Sequence, residues 1–205
     1  MKITDIKTTL LSFPIPEEKR WRTDLGVATK SDNCLIHIET DNEISGVGVG
    51  YGNPEVVKSI VETQLKPSLL GENPLYVEGL WEKMYSGSRG IPSLNRGVSQ
   101  PSFSRRGDTL CAIAGIDIAL WDIEAQSKDL PLYQLLGGRT GEVNLYASGG
   151  LYGENKSTDD LTTELSGYVK AGFECVKMKV GGMEIKEDTK RVRSVRDALG
   201  PDIGI

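Results

Sequence analysis

The chain has 205 residues, with 24 Lys and Arg against 29 Asp and Glu and a formal net charge of −5. That balance argues against nucleic acid as a partner, because phosphate binding wants a basic face, and no apolar run approaches the length of a membrane span. With 38% hydrophobic and 26% charged residues, the composition suits a soluble globular protein that buries a real core in one large domain or two small ones.

The N-terminal stretch MKITDIKTTLLSF is broken by polar residues every second or third position, which reads as a strand over 2–12 and not as a signal peptide. A polar loop, PIPEEKRWRTDLGVATKSDN, follows. CLIHIET (34–40) and EISGVGV (43–49) flank Asp41 and Asn42 and predict a hairpin, so the chain opens as an antiparallel meander. The single histidine, His37, sits inside the first of these strands and reads as structural. A helix is predicted over 54–66, with Pro54 in its first turn. Another is predicted over 74–85, where Leu75, Leu80, Trp81 and Met84 fall at helical spacing. Residues 86–108, rich in Gly, Ser, Pro and Arg, read as a long loop.

TLCAIAGIDIALWDIEAQS (109–127) gives the strongest helical pattern in the chain, apolar around most of its circumference and so expected to be largely buried. Asp117 and Asp122 lie within it, and each is expected to hydrogen-bond nearby backbone. LPLYQLLGG then stops on paired glycines. Cys34, Cys111 and Cys175 are odd in number and far apart, which fits reduced thiols in a cytoplasmic protein.

After about residue 140 the grammar changes. A strand over 143–149, a helix over 158–171 introduced by Ser157 and Thr158, a strand over 173–181, and a helix over 184–199 with charged outer positions follow one another. Gly200 and Pro201 stop the last helix, and PDIGI begins another strand. This is a parallel α/β pattern. The residues after 140 are far fewer than the roughly 250 of an eight-fold α/β barrel. A parallel sheet halted at its third strand leaves an apolar edge, so the barrel is expected to continue past Ile205. Within CVKMKVGG, alternation sends Val176, Met178 and Val180 to one face and Lys177 and Lys179 to the other. Two like charges side by side repel each other, and from this stretch alone an exposed strand face explains them better than a catalytic role does.

Residues 112–137, AIAGIDIALWDIEAQSKDLPLYQLLG, resemble the signature helix of the mandelate racemase/muconate lactonizing enzyme branch of the enolase superfamily. Ala112, Ala114, Gly115, Ile116, Asp117, Ala119, Leu120, Asp122, Ala125, Pro131, Leu132, Leu135, Leu136 and Gly137 fall where that pattern expects them. The resemblance implies an α+β capping domain, an antiparallel meander plus helices, over 1–140. It implies the first two βα units of a (β/α) TIM-like barrel, and the start of a third strand, over 141–205. It implies that Lys179 removes the proton next to a substrate carboxylate, with Lys177 beside it and Mg2+ neutralising the enediolate. The three acidic metal ligands are expected on later barrel strands, beyond Ile205; Asp202 precedes the third strand and belongs at the barrel's opposite end. Trp21, Arg22 and Thr23 resemble the loop that closes over the substrate, Tyr51 falls where a second lid loop is expected, and Ser148 ends the first barrel strand. The partner implied is a small carboxylate, with the protein a homo-oligomer. An acid-sugar dehydratase is favoured by the polar lid segment. A racemase or cycloisomerase, and a non-catalytic interaction module lacking the metal site, are the alternatives.

Overall fold

The computed structural model of the chain describes residues 1–23, 26–87 and 106–205, so the expected long loop falls mostly outside the described residues. In chain order the strands are β1 (Ile3–Pro14), β2 (Trp21–Thr23), β3 (Gly26–Ala28), β4 (Lys30–Thr40), β5 (Ser45–Gly50), β6 (Ala147–Ser148) and β7 (Val176–Lys177). The helices are α1 (Pro54–Ile60), α2 (Lys66–Leu69), α3 (Val77–Gly87), α4 (Arg106–Ser127), α5 (Leu132–Leu135), α6 (Thr158–Lys170) and α7 (Ile185–Leu199). They fall into two units: Met1–Phe13 with Asp32–Gly141, and Pro14–Ser31 with Glu142–Ile205.

The first unit is built on a sheet of order β1-β4-β5. Alternation places Cys34, Ile36 and Ile38 of β4 in the core with Ile3 and Ile6 of β1. The β4–β5 pairing is antiparallel and closes at Glu39 opposite Ser45. The turn is longer than the expected one, because Glu43 adopts φ 67 and cannot extend the strand. Gly46 and Gly48 of β5 face the main chain of α4 directly. A Cβ at Gly46 would lie 2.0 Å from the Ala119 carbonyl oxygen, and one at Gly48 only 1.9 Å from that of Gly115.

Asn53 caps α1, its side chain accepting from the Glu55 and Val56 amides, with Pro54 next. Pro67 lacks an N–H and its ring crowds the carbonyl four residues back. The helix widens into a π-helical turn at Val61–Leu65 and continues to Leu69, beyond the predicted end. In α3 the inward residues are Val77, Leu80 and Met84; Leu75 and Trp81, expected beside them, lie on the surface, and Trp81 stacks on Tyr85 at 4.8 Å. The helix starts at Val77, three residues later than predicted, which leaves Leu75 in the preceding turn. Asp122 accepts from the Val47 amide at 3.0 Å, as expected. Asp117 does not meet the expectation: among the described residues no hydrogen bond reaches it, and burial alone pushes its carboxyl above the usual range. All three cysteines are free thiols.

The stretch expected as a polar loop is in part regular structure, and Pro14–Ser31 of it belongs to the second unit. Glu17–Lys19 make a 3-10 turn, and β2 pairs antiparallel with β3, Trp21 opposite Ala28 and Arg22 opposite Val27. Strands of three residues are too short for alternation to show. β6 and β7 are parallel, Ala147 opposite Val176 and Ser148 opposite Lys177, and Cys175 bridges in parallel to Gly204. The strands expected over 143–149 and 173–181 thus shrink to two paired residues each, with Val143, Leu145 and Tyr146 exposed. The two crossovers pack Leu161 and Leu165 of α6 and Val195 of α7 on Ala147 and Val176. α6 begins with the expected cap, a reciprocal one between Ser157 and Asp160, and α7 ends at Gly200, φ 80. Among the described residues, no helix is long and apolar enough to cross a membrane.

Candidate active site

Val176 is buried against the helices, and Met178, two residues on, is half-buried on the same side. Lys177 and Lys179 therefore occupy the opposite face, and both are exposed. The parallel register sets Ser148 beside Lys177 on that face. Val180, expected with Val176 and Met178, is 59% exposed, because the ladder has ended before it. Ser148, Lys177 and Lys179 are thus brought together at the C-terminal ends of two parallel strands.

Trp21 and Arg22 belong to the hairpin of the same unit. The Arg22 amide donates to the Tyr152 carbonyl at 3.0 Å, and its guanidinium lies 5.5 Å from the centre of the Tyr152 ring. Both residues line a cleft of about 1060 Å3 with Tyr152, Lys156 and Glu164. Lys177 and Lys179 do not line it; Lys177 lines a separate groove of about 380 Å3 with Tyr146, Cys175 and Ile205. Tyr51 follows β5 in the first unit and is 83% exposed.

Three residues that sequence reasoning passed over complete the second unit. Tyr152, Asp188 and Arg191 are all buried. The Tyr152 hydroxyl lies 2.8 and 2.9 Å from the two Asp188 carboxylate oxygens, the Gly181 amide donates to Asp188 at 2.6 Å, and Arg191 Nη1 donates to it at 2.8 Å. Burial pushes the Asp188 carboxyl up, but these donors outweigh it and hold the group below the usual range. The Arg191 guanidinium sits 4.1 Å from the Tyr152 ring centre. A neighbouring carboxylate, Glu164, accepts from Lys156, from the Gly150 amide at 3.1 Å and from the Tyr168 hydroxyl at 3.2 Å. Burial pushes its carboxyl up too, and again the donors prevail and lower it. The expectation that the charged residues of α7 point outward fails at Asp188 and Arg191. The available signal was their i, i+3 spacing on the face that also carries Val195.

Residues 7–137 match the model of the mandelate racemase/muconate lactonizing enzyme N-terminal domain, and residues 160–205 match the enolase C-terminal domain-like model. The chain belongs to the mandelate racemase/muconate lactonizing enzyme family. Its first unit carries the family's capping fold, antiparallel strands with helices, and its second opens the (β/α) barrel. The arabinonate dehydratase of Saccharolobus solfataricus is 37% identical, over 99% of this chain and 52% of its own length. The 3,6-anhydro-alpha-L-galactonate cycloisomerase of Streptomyces coelicolor is 30% identical, over 97% and 52%. Among solved structures, an enolase superfamily member from Polaromonas sp. JS666 superposes with a TM-score of 0.83 at 30% identity, over 99% of this chain and 50% of that one. The chain spans about half the length of the relatives it matches.

Enolase-superfamily sites generally combine a Lys or His base with Mg2+. Among the described residues, no three His, Cys, Asp or Glu side chains lie together in a way that could hold a metal. These residues do not form a Mg2+ cradle, and what they offer chemically is the amine pair.

Proposed function

We propose that this chain supplies the base half of an enolase-superfamily active site and that the whole protein is an acid-sugar dehydratase. The observation that supports this best is the placement of Lys177, Lys179 and Ser148 on one face at the strand ends, where barrel enzymes of this kind carry their chemistry. In this reading Lys179, as the free amine, takes the proton from the carbon next to the substrate carboxylate. The C–H bond breaks, an N–H bond forms, and the electron pair moves onto the carboxylate as an enediolate. Lys177 presents a positive charge to that carboxylate. The electron pair then returns, the C–O bond at the neighbouring carbon breaks, and the hydroxide leaves as water with a proton from a general acid, which completes a dehydration. Reprotonation of the same carbon would instead give a racemase or epimerase, and ring closure or opening a cycloisomerase. The polar Trp21–Arg22 segment and the likeness to a relative named arabinonate dehydratase favour a hydroxyl-rich acid and the first outcome. The Mg2+ of such a reaction would be held by residues outside those described.

The test is exchange of the substrate α-proton with solvent deuterium, with Mg2+ present, by the natural full-length protein across a panel of sugar acids. Exchange with at least one member, abolished by Lys179→Ala in a protein of unchanged fold, is expected. No exchange across the panel, or exchange retained by Lys179→Ala, overturns the proposal.

A further inference from the structure

The ladder between β6 and β7 ends at Ser148 and Lys177, two residues short of Lys179. Beyond it, different bonds hold the backbone. Gly150 adopts φ 59, and its carbonyl accepts from the Lys179 amide at 3.2 Å. One guanidinium then spans both strand ends. Arg191 Nη1 donates to the Lys179 carbonyl at 3.1 Å, and Nη2 reaches the Gly150 carbonyl at 3.4 Å. The guanidinium is itself fixed by the Asp188 carboxylate, which is held by the Gly181 amide and by the Tyr152 hydroxyl; that hydroxyl in turn accepts from the Gly182 amide at 3.0 Å. Asp188 and Arg191, 7% and 8% exposed, are the buried charged residues among those described. Taking such a pair out of water is costly, and apolar side chains of similar volume often serve stability as well or better. What apolar residues cannot do is donate to two carbonyls at once. The planar fork of Arg can, and a Lys ammonium cannot span the same two acceptors in one geometry.

We propose that Arg191, set in place by Asp188 and Tyr152, is a positioning residue that fixes the backbone carrying Lys179. Tyr152, whose hydroxyl holds Asp188, also anchors the Trp21–Ala28 hairpin, its main-chain carbonyl accepting from the Arg22 amide at 3.0 Å. The role rests on the proposed proton abstraction by Lys179, so the experiment has one readout that does not depend on it.

In the natural full-length protein, Arg191→Lys is compared with wild type by amide hydrogen exchange of the peptide covering 176–182, and by kcat and KM for α-proton exchange. The peptide's amides should exchange on the order of tenfold faster while those of α6 stay unchanged. The rate kcat should fall on the order of ten- to a hundredfold with KM little altered, as displacement of a reacting group by about 1 Å predicts. Tyr152→Phe, which keeps the ring and removes only the hydroxyl, should show both effects in smaller measure, and it decides the matter if Arg191→Lys does not fold. Unchanged amide exchange overturns the brace. Loosened amides with unchanged kcat in an active protein overturn its positioning role. If wild type exchanges no substrate proton, the proton-abstraction reading fails, and with it Arg191's role toward a base, while the amide data still decide whether the brace exists.

Discussion

Gly150→Ala isolates the local geometry on which the candidate site depends. Two costs add. The native φ of 59 lies in the left-handed region, where a side chain costs about 1–2 kcal/mol. The new Cβ would stand 2.5 Å from Met178 Cβ and 2.9 Å from its Cα, so the neighbouring strand must yield by about 0.9 Å to reach ordinary contact at 3.4 Å. Overpacking of that kind costs about 1–3 kcal/mol. The sum, about 2–5 kcal/mol, corresponds to a fall in Tm of about 4–20 °C for a chain of this size. Two controls separate the costs. Gly172, φ 101, faces open space, so Gly172→Ala should show only the backbone cost, about 1–3 kcal/mol. Gly167 lies inside α6 with nothing within 4 Å, so Gly167→Ala should stabilise by about 0.5–1 kcal/mol. Thermal unfolding followed by circular dichroism gives all three. If Gly150→Ala costs no more than the left-handed backbone alone, about 1–2 kcal/mol, the close approach to Met178 carries no energy and the reasoning fails.

The acid side of the stability profile should be set partly by Asp188 and Glu164. Both carboxyls are held below their ordinary values of 3.8 and 4.5, so their contribution is complete above those values and is lost as pH falls through the lower folded ones. Denaturant titrations from pH 6 to pH 3 should show stability falling below about pH 4.5, and a flat profile contradicts the assignment. Asp117 has the opposite sign: its raised carboxyl makes ionisation a cost above the folded value, and the cost vanishes below 3.8. Asp117→Asn should therefore raise Tm at pH 7 and lose that advantage at pH 3; a lower Tm at pH 7 would mean that the carboxylate has a favourable partner. Removing the reciprocal cap of α6 with Ser157→Ala should cost about 1 kcal/mol by chemical denaturation, and no measurable loss would show that the cap is replaced by water.

The parts legible in the sequence are those whose signal is local. Pro54 announces α1, Ser157 and Thr158 announce α6, and alternation in CLIHIET marks β4 with its buried Ile36 and Ile38. The lysine pair is legible for the same reason, since period two alone puts Lys177 and Lys179 on one face. The hairpin at Trp21–Ala28 was illegible because its strands are three residues long and its outer anchor, Tyr152, lies more than a hundred residues away. Asp188 and Arg191 misled for another reason. Charged residues in a helix normally face water, and nothing local shows that two carbonyls and a tyrosine hydroxyl await them across the fold. Asp117 shows the converse: it fits a family pattern letter by letter, yet the described residues give it no partner.

The contact between β5 and α4 has a bearing on how the first unit opens. A layer of side chains can give way piecemeal, one rotamer at a time, but at Gly46 and Gly48 the strand main chain rests on the carbonyls of Ala119 and Gly115, and the strand has no rotamers there to exchange. The strand and the helix must part together or stay together. Residues 45–50 and the middle of α4 should therefore behave as one all-or-none block, the last to come apart as the unit is heated and a poor place for gradual adaptation by substitution.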